Sequence, residues 1–228
     1  MDISSYNLDL HKHTLSKWAA SRAASQSKNF KFSVKLGSEL LLLGTNESKA
    51  SDQDFIDYIK QIETFNSQDD YDSWHHQTIA NMTSDNDELK KLLNTYNKSH
   101  NNYTYGIAAK LLNCYLKVFF LESFGKQNFA DFIHPPVDAI LLKALRKDDK
   151  KLFNFKNSIF TNIGVQKIPT WTRINKNEYK TIIKLMKEFV SSKNENGEGA
   201  RARLCARRLH RYRPRPHPCA SGGRSGRY

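Results

Sequence analysis

Apolar residues recur at helical spacing along most of the chain, and strict two-residue alternation is rare. That pattern predicts an all-α fold. A first helix is expected over about 11–25, with Leu15, Trp18, Ala19 and Arg22 at helical spacing. The run FKFSVKLGSELLLLG predicts a second, with Ser33 as N-cap and Gly44 as its stop. Ser51, followed three residues later by Asp54, opens a third that runs to Phe65 with Phe55, Tyr58, Ile59 and Ile62 as its apolar stripe. Two more are expected over Tyr71 to Met82 and Ser84 to Tyr96. His75 and His76, adjacent on the first of these, point apart and read as a solvated face. An Asn-rich loop, NKSHNNYT, precedes the strongest helix, Tyr105 to Ser123. Pro135 and Pro136 stop what comes before them, and Asp138 then caps AILLKAL. A short helix over 147–157 and a last one from Asn177 to Ser191 complete the expected set.

Composition changes this picture at one end. The chain has 228 residues and a net charge of +13, but the charge is unevenly placed. Residues 1–198 hold every acid and every lysine and carry +4. The last thirty, GARARLCARRLHRYRPRPHPCASGGRSGRY, hold nine arginines, no lysine and no acid. The segment is too polar and too rich in Pro and Gly to pack, so 1–195 is expected as one two-lobed helical domain and 196–228 as a disordered basic tail. The tail reads either as a nucleic-acid-binding arm or as sequence translated out of frame, and the abrupt switch from Lys to Arg favours the second. Its Cys205, His210, His217 and Cys219 match no standard zinc spacing, so no metal and no cofactor is expected. Three cysteines make no disulfide framework, no apolar run nears the roughly 20 residues of a membrane span, and the first ten residues lack a leader pattern. The expectation is a cytoplasmic, nucleoid-associated monomer. Within 1–198, residues 47–72 carry −6 and residues 73–198 carry +7, which suits a protein with a single phosphate-facing side.

The chemistry sits in YTYGIAAKLLNCYLKVFF. Gly106, Lys110, Asn113 and Lys117 fall at i, i+4, i+7 and i+11, one narrow polar stripe on an otherwise apolar helix. Such a helix is mostly buried, so its stripe meets solvent, a partner or a cleft. An amine stripped of water on a cleft wall is held in its neutral, nucleophilic form. Periodicity by itself equally allows two lysines that snorkel to water from an exposed edge.

GIAAKLLNCYL followed by PPVDAILLKAL resembles the helix-hairpin-helix DNA glycosylases, and among them divergent 8-oxoguanine glycosylases. The resemblance matches Gly106 to the first glycine of the family's hairpin, Lys110 to its catalytic lysine, Asn113 to an asparagine of that helix, and Val137–Asp138 to its Val-Asp pair. It covers residues 106–138 in motif and about 10–190 in layout. Ala108 stands where the family has a second glycine, the Lys-to-Asp separation is 28 residues, and the iron–sulfur cysteine array of some members is absent.

The resemblance implies a glycosylase, with or without lyase activity, that extrudes an oxidised or modified purine from double-stranded DNA. Lys110 would attack C1′ to give a Schiff base, and Asp138 would stabilise the oxocarbenium-like state. Arg22, Gly106, Asn113 and Lys117 would contact DNA, and Trp18, His134 and Trp171 would line the base pocket. The role would be repair or defence against modified DNA. The alternative is a non-catalytic DNA-binding module on the same helical scaffold.

Overall fold

The computed structural model describes residues 7–25, 30–47, 49–143 and 170–195. All regular structure among these residues is helical, with no strand. The helices are α1 (Leu8–Ala24), α2 (Val34–Leu42), α3 (Asp52–Lys60), α4 (Gln68–Met82), α5 (Asp87–Thr95) and α6 (Tyr105–Phe119). They are followed by α7, which opens at 139 and is described to 143, and by α8 (Lys176–Glu195). The chain divides into two units, residues 1–183 and 184–228. In the second, the described feature is the end of α8, where Lys184 lies 4.0 Å from Glu188 one turn on. The helix expected over 147–157 and the whole tail from 196 lie outside the described residues. No helix among the described residues is long and apolar enough to cross a membrane.

The starts of these helices are chemically marked. Asn7, Ser33, Ser67, Asn86 and Thr104 each accept the orphan amide three residues on. Ser51 and Asp54 form the reciprocal capping box that their spacing predicts. Several helices end earlier than the apolar pattern suggests, because the last turn tightens into a 3-10 helix: Leu43–Thr45 after α2, Gln61–Thr64 after α3 and Leu121–Ser123 just beyond α6. Gly44 therefore does not stop α2, which ends at Leu42; Asn46, in the left-handed region at φ 64°, ends the 3-10 turn that follows.

Helix α6 is the centre of the first unit. Eleven of its fifteen residues are buried, including the polar Lys110 and Asn113. Its main partner is α1, which offers small residues to it: Ser16, Ala20, Ser21 and Ala24 are buried. Helix α2 crosses α1 so closely that a Cβ on Gly37 would strike Ser21 Oγ. The large apolar residues of α1 face the other way, with Leu8, Leu15 and Trp18 each about half exposed. The stripe read from sequence is thus the outer face of this helix, because close helix approach selected small side chains for the inner one.

One polar junction ties α1, α3 and α6 together. Buried His13 has Nδ1 2.6 Å from Tyr115 Oη and Nε2 3.1 Å from Asp52 Oδ1. Lys17 donates to the same carboxylate at 2.6 Å. Burial lowers the His13 pKa and Lys17 adds to this, with the Asp52 contact opposing it.

Candidate functional site

Helix α6 carries its polar stripe against the chain's C-terminal elements. Thr104, its N-cap, donates Oγ1–H to the Thr172 carbonyl at 2.7 Å. The Gly106 amide donates to the Ile174 carbonyl at 3.0 Å, and a Cβ at this position would collide with the Trp171 carbonyl. Close approach of the 171–174 turn thus accounts for the glycine, and its N–H points inward rather than toward a phosphate. One turn further on, the Lys110 amine lies 4.1 Å from the centroid of the Trp171 ring. Lys110 is 6% exposed and Trp171 8%, a cation over an indole face in a largely desolvated setting. Lys117, at the far end of the stripe, is half-buried.

Asn113 is the hub of the next turn. Its Nδ2 donates to the Pro135 carbonyl at 3.3 Å and to Tyr179 Oη at 2.8 Å, and its Oδ1 lies 2.7 Å from His75 Nε2. Through these bonds α6 holds the proline loop, α8 and α4 at once. The loop has further ties. Gln68 donates to the Phe132 carbonyl at 3.0 Å, the His134 amide donates to Tyr71 Oη at 3.3 Å, and the His134 ring spans Tyr179 Oη (3.2 Å) and Asp72 Oδ1 (2.9 Å). Beyond the loop, Asp138 caps α7 as its position predicts, with Oδ1 accepting from the Leu141 amide at 2.8 Å. Val137 is buried beside it.

Burial sets the protonation of this cluster. His75 is fully buried, and desolvation first, then the neighbouring His134, holds its pKa well below the imidazole range against the Asn113 hydrogen bond. His76 is lowered to about 4, first by burial and then by Lys180 and His134. Its Nδ1 lies 2.8 Å from Tyr105 Oη. The Tyr71 and Tyr179 hydroxyls are driven upward by burial, so both remain neutral donors or acceptors. Among the described residues no three His, Cys, Asp or Glu side chains are arranged to hold a metal ion.

The structure therefore sets two groups along α6: Trp171 against Gly106 and Lys110, and His134 tied through Tyr179 to Asn113, with Asp138 at the end of the loop that Asn113 holds. It leaves Arg22 exposed on α1 and Trp18 there 57% exposed. His134 is buried among hydrogen-bonding partners rather than presented as a stacking surface. The expectation of a solvated face at His75 and His76 is corrected: His75 is core and His76 half-buried. The signal was present, since Tyr71, His75, Ile79 and Met82 share one helical stripe that is buried throughout. Tyr179, Asp72 and Tyr71 were also missed, because nothing in their spacing distinguishes them from ordinary helix residues. No protein-family model matches this sequence, and neither does any curated protein or solved structure.

Proposed function

We propose that the chain is a DNA glycosylase of the helix-hairpin-helix type that acts on double-stranded DNA carrying an oxidised or otherwise modified purine. It works as a cytoplasmic, nucleoid-associated monomer in repair or in defence against modified DNA. The observation that carries the reading is the Asn113 to Pro135 hydrogen bond. It ties the loop that ends in Asp138 to the helix turn next to Lys110. The target nucleotide is everted from the stack. The Lys110 amine, once it has given up its proton, attacks C1′ while the bond to the base breaks and the base leaves with a proton. Asp138 stabilises the positive charge that builds on the sugar. The amine–C1′ adduct opens to an imine, which permits β-elimination of the 3′ phosphate.

The test is covalent trapping by borohydride on duplex oligonucleotides that carry an abasic site, 8-oxoguanine or other modified purines. The full chain is expected to give an adduct and Lys110→Gln none. The burial of Lys110 against Trp171 favours a second reading, a DNA-binding module without catalysis. Salt-sensitive binding by wild type and Lys110→Gln alike, with no adduct on any duplex, would select that reading.

A further inference from the structure

The hydrogen bonds of Asn113 fix its own orientation and the tautomer of His75. Pro135 offers a carbonyl, which can only accept, so the Asn113 atom facing it is the amide nitrogen. That places Oδ1 toward His75, whose Nε2 must then carry the hydrogen. His75 is left with a bare Nδ1, which is buried and has no hydrogen-bond partner among the described residues. The second Asn113 amide hydrogen goes to Tyr179 Oη. With the Tyr179 hydrogen turned to His134 Nδ1, His134 becomes the Nε2–H tautomer and donates to the Asp72 carboxylate. A single donor sequence thus runs from Asn113 of α6, through Tyr179 of α8, to His134 in the proline loop and Asp72 of α4.

We propose that Tyr179 is a positioning residue for the Lys110–Asp138 pair: its hydroxyl, between Asn113 and His134, locks the loop that bears Asp138 against the helix that bears Lys110. This rests on the glycosylase reading for the reaction it serves. Phenol is suited to the task. It accepts from the amide and donates to the imidazole in one rigid plane, and Tyr179 is fully buried, with its ring stacked on His75 at a centroid distance of 5.6 Å. Phe keeps the ring and deletes only the relay. The loop would then lose one of its two imidazole anchors, and the direction of the His134 protons would no longer be dictated.

The experiment sets Tyr179→Phe beside Tyr115→Phe, which removes an equally buried hydroxyl bonded to His13 on another face of α6. Both variants of the full chain are expected to lose stability. On a duplex carrying a modified purine that the wild type excises, borohydride trapping by Tyr179→Phe is expected to slow roughly a hundredfold, the scale of a small misplacement of reacting groups, at an unchanged half-saturating DNA concentration. Tyr115→Phe should trap at the wild-type rate. Equal slowing in both variants, or wild-type trapping by Tyr179→Phe, would overturn the positioning role. A second measurement does not depend on activity. In protein labelled with 15N-histidine, His134 is expected as the neutral Nε2–H form in wild type and to lose that fixed form in Tyr179→Phe. A wild-type His134 protonated on Nδ1 at neutral pH would break the proposed relay even if trapping succeeds. Absence of any wild-type adduct alongside the expected tautomer would instead sink the glycosylase reading, and with it the reaction Tyr179 serves.

Discussion

Two buried groups of the same residue types meet on α6, and they are built for different ends. At Asp52, His13 and Tyr115 all three side chains stand on helices, α3, α1 and α6, and Lys17 adds a cation to the carboxylate. At Asp72, His134 and Tyr179 the imidazole belongs to an irregular loop, and the group continues through Asn113 into His75. The first joins elements that small residues and apolar packing already hold together. The second supplies the polar anchors of backbone that has no regular hydrogen-bonding pattern of its own, and that backbone leads to Asp138. Identical chemistry thus fastens helices in one place and, under the proposed positioning role, registers a loop in the other. What separates the cases is whether the histidine sits on a helix or on a loop.

The largest expected difference comes from removing the centres of the two groups. Asn113→Leu leaves buried His75 Nε2 unmatched and takes one hydrogen bond each from Tyr179 and the Pro135 carbonyl, and a buried polar group left unmatched costs about 1–3 kcal/mol. His13→Leu strands only Tyr115 and leaves half-exposed Asp52 its lysine. Urea denaturation is expected to place Asn113→Leu below His13→Leu by about 2 kcal/mol. Equal losses would mean that both groups are simple fasteners.

The pH response sharpens the contrast. His75 and His13 both have folded-state pKa values below that of the unfolded chain, about 6.5. Their contribution is therefore complete above that pH and is lost as pH falls below it, by up to about 1.4 kcal/mol per unit for each group. The displacement is larger at His75 than at His13, whose contact with Asp52 opposes it. Denaturation midpoints between pH 7 and 5 are expected to decline in the wild type, and His75→Gln should flatten that decline more than His13→Gln. The smallest effect is expected at Asp138. Its cap is worth about 1 kcal/mol, so Asp138→Ala should shift the midpoint little while abolishing adduct formation.

Helix existence was legible in the sequence because capping residues and the 3.6-residue period act locally. Ser33, Ser51 and Asp138 were identified as caps from position, and the polar stripe of α6 from spacing. Two things were not legible. The inner face of α1 is made of Ser, Ala and His13, so its large apolar residues mark the outer side. The cluster around Asn113 draws on residues 68–75, 113, 132–135 and 179, which become neighbours only when the chain is folded. Asn113 itself stood out in the sequence, but its partners carried no local mark. Burial of His75 was inferable from its stripe and was obscured by the adjacent His76.

Asn113 and Tyr115 are two positions apart on one helix and so project about 200° from each other. One inserted residue between Lys110 and Asn113 would swing both by about 100° and disconnect both histidine junctions together. A length change in the Asn-rich connection before Thr104 would leave both in place. Natural variation in chain length should therefore collect ahead of this central rod and stay out of it, even where the individual amino acids drift.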